Sequence, residues 1–223
     1  MEIQYSIFYK NRKSAQINIY PTGEIKVLAP IYYTEKDVIS LINLKKEWIL
    51  KKLSLIQKRT KNRIILNNDN ILYLGEIYTF KKNSSMGRYT KIDKENKVIY
   101  AGYNLNNKEN LLKFYKNEAN FLLPVKLNKL STIHNITYNK VTVRNNKKRW
   151  GSCSSKKDIT LSTKLILAPI KVIEAVILHE LVHTEIMNHS KKFYDRLYKI
   201  CPFYKEADIW LREYYPIENN IFY

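Results

Sequence analysis

Pro169-Ile170-Lys171-Val172-Ile173-Glu174-Ala175-Val176-Ile177-Leu178-His179-Glu180-Leu181-Val182-His183 is the run of residues on which the fold turns. Proline is pre-set for the first turn of a helix, and the helical pattern that follows extends over residues 170–187. Val172, Val176, His179, His183 and Ile186 fall on one stripe of such a helix, and its other faces are nearly all apolar too. A helix that is apolar all round is a buried one, so a central element is predicted here. Two imidazoles and a carboxylate nonetheless lie within it. Their burial is costly unless they are paired or liganded, and a bound metal ion satisfies all three together.

The spacing supports the metal. Positions four apart on a helix lie one above the other, so the imidazoles of His179 and His183 reach the same point in space. His179-Glu180-Leu181-Val182-His183 is the H-E-x-x-H arrangement of zinc hydrolases. Two neutral imidazoles supply half of a tetrahedral Zn2+ site, and Glu180 beside them is placed to take a proton from water. Three of the four histidines in the chain fall between His179 and His189. Asn188 adopts readily the left-handed conformation that ends a helix and turns the chain back, which would bring His189 to the same metal. A carboxylate is the alternative third ligand, with Glu206 and Asp208 as candidates on a later helix. The competing reading is a pair of core histidines satisfied by backbone carbonyls, with His189 an exposed loop residue. His134 reads as surface, and Cys153 as a structural cysteine rather than a ligand.

Working outward, residues 136–143 read as a strand. A basic turn through Lys147, Lys148 and Arg149 follows, then a second strand around 159–161. Downstream, Ser190 is placed to cap a helix over 191–200 that Cys201-Pro202 ends, and 205–214 gives a last short helix before Pro216. Near the start of the chain, alternation at Ile3, Tyr5, Ile7, Ile17, Ile19, Ile25 and Val27 around the turn Pro21-Thr22-Gly23 predicts a small antiparallel meander. Thr34, with Asp37 as its capping-box partner, opens a helix over about residues 35–58. Residues 71–100 read as strands interrupted by Gly75 and by the polar stretch 81–87, and 111–130 as a helix broken at Pro124. The predicted fold class is α+β, with a strand-rich N-terminal region carrying a long helix over 1–105 and the metal-helix domain over 106–223.

Composition bounds the function. The chain has 223 residues, 45% of them apolar, which is enough for a folded core. Its apolar runs are too short to cross a bilayer and its N-terminus does not read as a signal peptide, so a cytoplasmic protein with no membrane partner is expected. Two cysteines, Cys153 and Cys201, are too few for a disulfide framework. The formal net charge of +19 is the compositional anomaly. It fits an electrostatic footprint for nucleic acid, with basic residues clustered over 45–63, and it equally fits a coding bias that raises lysine, asparagine, isoleucine and tyrosine together.

Arg149-Trp150-Gly151-Ser152-Cys153-Ser154, Leu165-Ile166-Leu167-Ala168-Pro169, the H-E-x-x-H run and Met187-Asn188-His189-Ser190 together resemble the YgjP-like metal-dependent hydrolases. The likeness extends to Pro21-Thr22-Gly23-Glu24, to Trp48-Ile49-Leu50-Lys51-Lys52 and to Cys201-Pro202, so it covers nearly the whole chain. The resemblance implies a zincin-like metallopeptidase domain, related to the SprT-like proteases, acting on a protein or peptide substrate. It carries over His179, His183 and His189 as zinc ligands and Glu180 as the catalytic residue. In zincins the strand before the metal helix commonly offers its edge to an extended substrate, and residues 157–161 are expected to be that edge. Arg149 is expected to hold its turn against the core or to face a developing oxyanion, and Tyr194 to pack its helix or donate to that oxyanion. The alternative function is a nucleic-acid-associated protein whose zinc site is structural or vestigial.

Overall fold

The computed structural model of the chain describes residues 3–20, 22–61, 69–146 and 149–213. Pro21, Arg63, Lys147, Lys148, Tyr214 and Pro216, which the sequence reading used, lie outside them. Two compact units are present: one takes Met1–Arg63 with Arg212–Tyr215, the other Ile64–Leu211 with Pro216–Tyr223. The architecture is α+β throughout.

The first unit has three strands and two helices: β1 (Ser6–Lys10), β2 (Gln16–Ile19), β3 (Ile25–Pro30), α1 (Glu35–Leu44) and α2 (Lys46–Lys61). The strand order is β1-β3-β2, with β1 parallel to β3 and β2 antiparallel to it. The expected meander is therefore not formed. β3 takes the centre because it is the strand with buried residues, Ile25, Val27 and Ala29, which pack with Val38, Ile42 and Ile49 of the helices. The capping box at Thr34 is present, with Asp37 Oδ2 accepting from the Thr34 backbone N–H at 2.7 Å. The single long helix of the sequence reading is two helices, because the chain bends at Lys45, whose backbone N–H bonds back to Leu41. α2 leaves Lys46, Lys51, Lys52 and Lys58 exposed.

The second unit holds β4 (Asn70–Tyr73), β5 (Glu76–Lys82), β6 (Thr90–Asp93), β7 (Val98–Ala101), α3 (Lys108–His134), β8 (Lys140–Arg144), β9 (Gly151–Cys153), β10 (Asp158–Ser162), α4 (Ile170–His183), α5 (Lys191–Ile200) and, up to Leu211, α6 (Tyr204–Glu213). One sheet runs β4-β5-β7-β6, the other β8-β10-β9. A single core joins Ile71, Tyr78 and Ile99 of the first sheet to Phe114 and Leu123 of α3 and to Ile173 and Ile177 of α4. Residues 70–101, which the sequence reading grouped with the N-terminal region, thus share a core with the metal helix. α3 runs unbroken through Pro124. Leu123 and Leu127 on either side are fully buried, and that packing offsets the hydrogen bond proline removes from a helix interior.

The β4–β5 turn fixes where α4 begins. Leu74 and Gly75 both have positive φ, 52° and 81°, and their backbone N–H groups donate to Ile166 and Leu167 carbonyls at 2.8 and 3.0 Å. A Cβ on Gly75 would stand 2.6 Å from Pro169 Cγ and 2.8 Å from its nitrogen. Only glycine fits a left-handed position pressed against the residue that opens the helix. Gly75→Ala is expected to destabilise the fold by more than ~1 kcal/mol, read as a lowered denaturation midpoint at unchanged slope. An unaltered midpoint would show that this turn does not seat the helix.

Candidate metal centre

α4 buries Val172, Ile173, Ala175 to Leu178, Leu181 and Val182, and it carries Glu180 and His183 into the same interior, with His179 half-buried and His189 beyond the helix exposed. It packs against α3, α5, β9 and β10. The helix stops at His183, four residues before the predicted end. Thr184 caps it, its backbone N–H and its hydroxyl both donating to the Leu181 carbonyl, and Ile186 N–H bonds back to Val182. Asn188 is not among the residues with positive φ. It turns the chain instead with its side chain, whose Oδ1 accepts from the Ser190 backbone N–H at 3.3 Å. Ser190 stands at the N-cap of α5 as expected, without a side-chain capping bond.

That turn delivers His189 to the other two. Nε2 of His183 lies 3.1 Å from Nε2 of His179 and 3.2 Å from Nε2 of His189, and the His179–His189 separation is also 3.2 Å. Among the described residues this triad is the one cluster of three or more possible metal-ligating side chains. Glu206, Asp208 and Cys153 do not join it, and His134 stands at the far end of α3. His183 Nδ1 lies 3.1 Å from the Ile186 carbonyl, which can only accept, so the ring proton is on Nδ1 and Nε2 presents a lone pair. His179 Nδ1 lies 3.0 Å from the hydroxyl of Tyr204. Burial first, and then the neighbouring His183 and His189, hold the His179 imidazole neutral by lowering its pKa to about 3. Burial likewise lowers that of His183.

These residues fit a metal ion. Three ring nitrogens converge to 3.1–3.2 Å, and a cation between them would take a lone pair from each in place of their mutual crowding. Ligands about 2.0–2.1 Å from a tetrahedral zinc are separated by about 3.3–3.4 Å, close to the edges seen here. The donor set is borderline-soft nitrogen, which suits zinc.

Glu180 is 5% exposed, and burial raises its carboxyl to about 8, with the Arg149 guanidinium pulling the other way. Its carboxylate lies directly on the backbone of β9: a Cβ on Gly151 would stand 2.6 Å from Glu180 Oε1 and 2.7 Å from Cγ. β9 is an edge strand, while β10 is bonded on both sides, parallel to β8 and antiparallel to β9. The expectation that 157–161 offers the edge is therefore corrected: its ladder is already full, and β9 is the strand that passes the metal helix. Trp150 O accepts from Ser162 N–H, and Ser154 N–H donates to Asp158 O. By alternation the backbone groups of Gly151 and Cys153 then point away from β10.

Arg149 is exposed and close enough to act on Glu180 by charge. The Tyr194 ring lies 6.1 Å from that of His189 and packs on Phe193 and Tyr198. Sequence reasoning gave no role to Gly151 or Tyr204. A glycine inside a short strand signals close backbone approach and could have marked the first. Nothing local marks the second.

Converging imidazoles beside a buried carboxylate, on a helix at the centre of an α+β core, define a metallohydrolase. The chain belongs to the family described as YgjP-like, metallopeptidase domain, whose sequence profile matches residues 13–214. The crystal structure of the metallopeptidase zymogen of Methanocaldococcus jannaschii jannalysin is similar over 39% of this chain and 93% of that one, at 23% identity and a TM-score of 0.34. No curated protein matches the chain. No described helix is long and apolar enough to cross a membrane.

Both thiols are free, and burial is the main cause that pushes Cys153 up to about 11 and Cys201 up to about 12. At pH 8 each is almost wholly protonated. Alkylation of the native protein is expected to run on the order of a hundredfold slower than for free cysteine, and to reach the free rate in denaturant. Equal rates with and without denaturant would contradict the burial of these groups.

Proposed function

We propose that this protein is a zinc-dependent peptidase in which His179, His183 and His189 hold the metal and Glu180 is the general base. The observation that carries the reading is the 3.1–3.2 Å convergence of three Nε2 atoms beside a buried carboxylate. Zinc bound there supplies Lewis acidity, polarising a carbonyl and making water easier to deprotonate. Three protein ligands leave a coordination position open, which favours a catalytic over a structural site.

Glu180 accepts the proton from the attacking water and returns it to the leaving amine. Its burial against β9 holds the carboxyl in one place for both transfers. Gly151 lets the carboxylate lie against β9, so that the base and an extended chain added along that strand would face each other. The outward backbone groups of Gly151 and Cys153 supply the hydrogen bonds for such an addition. Arg149, exposed beside Glu180, is a candidate for the developing oxyanion.

Purified protein is expected to carry about one zinc per chain, and the His179→Ala, His183→Ala double variant none. Glu180→Gln should keep the zinc and lose about two to four orders of magnitude in hydrolysis of an unfolded substrate such as casein. Chelator-sensitive cleavage at wild-type rate by that variant would remove Glu180 as the base. Gly151→Ala is the finer test. Its methyl group displaces a flexible but buried carboxylate, so activity should fall about a hundredfold at full zinc content. In the Glu180→Gln background the same change should add little, because the two act through one group. Additive losses would mean that Gly151 serves the strand rather than the base.

A further inference from the structure

The outer nitrogen of His179 leads away from the metal centre to α6. Tyr204, the first residue of that helix, places its hydroxyl 3.0 Å from His179 Nδ1, and the two rings are inclined by 14°. Tyr204 is held there from several sides. Its backbone N–H donates to the Cys201 carbonyl at 3.0 Å, so the Cys201-Pro202 turn sets its position. Its ring meets that of Tyr198 at 6.1 Å, and the Tyr198 ring in turn stacks on Tyr194. Cys201 is fully buried, which ties the turn to the core that carries α4.

We infer that Tyr204 is the positioning residue for His179: its phenol oxygen accepts the Nδ1 proton, holds the ring in the Nε2-ligating tautomer and aims it at the metal. This rests on the reading that the three histidines bind metal. A neutral imidazole keeps its one proton on either nitrogen, and only the tautomer protonated at Nδ1 offers Nε2 a lone pair. His183 is fixed in that form by a carbonyl that has no proton to give. A phenol can do either: it could donate to Nδ1 and so force the proton onto Nε2, blocking the ligand. The surroundings select the productive direction. Nε2 of His179 faces two other ring nitrogens at 3.1 and 3.2 Å, where a cation is favoured. The phenol's own proton can then turn toward Asp208, which stands one helical turn further along the same face of α6. Asp208 is near enough to act on Tyr204 by charge. The arrangement is carboxylate, phenol, imidazole and metal in sequence, where metal sites more often show a carboxylate or carbonyl directly on the imidazole.

The test uses the full chain and the variant Tyr204→Phe, which removes the hydroxyl and keeps the ring. Zinc affinity is measured by competition with a chromophoric chelator, and the tautomer of His179 by long-range proton–nitrogen correlation spectra of the metal-free protein. The variant is expected to bind zinc ten- to a hundredfold more weakly, as for other outer partners of metal ligands. His179 should pass from the Nδ1-protonated form to a mixture, while the spectrum of His183 stays unchanged. Tyr198→Phe, which removes a hydroxyl from the neighbouring ring, should alter neither quantity. A zinc affinity within twofold of wild type, or a His179 tautomer that the substitution does not move, overturns the assignment. Wild-type protein that binds no zinc overturns the metal reading instead, and the spectra of the metal-free chain still decide the role of Tyr204.

Discussion

Mutual repulsion among the His179, His183 and His189 Nε2 atoms is the constraint around which this molecule is built. Their separations of 3.1–3.2 Å are hydrogen-bond distances, yet with Nδ1 of His183 bonded to a carbonyl these nitrogens cannot all find partners among themselves. Left without a cation, such a cluster would spread or take up a proton. Burial disfavours the proton, as the depressed basicity of His179 and His183 shows. The fold must therefore hold the three rings together against their own electrostatics, and in sites where such a cluster takes up a metal, binding becomes part of folding stability.

Several parts of the second unit serve that end. The Leu74-Gly75 turn, bonded to Ile166 and Leu167, presses on Pro169 and so sets the starting point of α4. Thr184 stops the helix early, and His183 and the Ile186 carbonyl tie ring to backbone within the turn that follows. Phe193, fully buried on α5, packs its ring against all three imidazoles at 4.5–5.0 Å between centroids. That one side chain replaces water on the inner side of the cluster. It keeps all three rings against a rigid neighbour.

The parts of this design that follow from local periodicity were legible in the sequence. A four-residue spacing puts His179 and His183 together whatever surrounds the helix, and an apolar helix must be buried, so α4 and the pairing of its imidazoles could be read directly. His189 was reached for a mistaken reason: the turn was expected to depend on a left-handed Asn188, whereas Thr184 and the Asn188 side chain make it. Where pairing partners are distant in sequence, reading failed. Nothing in residues 3–30 says that β1 should pass β2 and lie parallel to β3. Nor does residue type alone say that β10, rather than β9, should sit in the middle of its sheet. Pro124 shows tertiary packing overriding a strong local rule, because Leu123 and Leu127 are anchored too well for the helix to break between them.

The distribution of charge bears on approach rather than on chemistry. Residues 1–63 contain 13 lysines and arginines against 5 acids, a net of +8, and the remaining 160 residues hold 26 against 15, a net of +11. Charge density is thus roughly twice as high in the part of the sequence that forms the first unit. Lys46, Lys51 and Lys52 of α2 are exposed, so each contributes little to stability and much of its field reaches solvent. The histidine cluster, by contrast, contains in His179 an imidazole that burial keeps neutral, and beside it in Glu180 a carboxyl that burial makes reluctant to ionise. On its buried side, at Glu180 and His183, its electrostatics act over a few ångströms where salt screens weakly. A positive field of this kind raises the encounter rate of acidic partners and falls with ionic strength, but it cannot substitute for the fixed geometry at which a bond is broken. The two features are therefore separable: the surface charge acts at long range through solvent, and the histidine cluster with Glu180 acts only at contact distance.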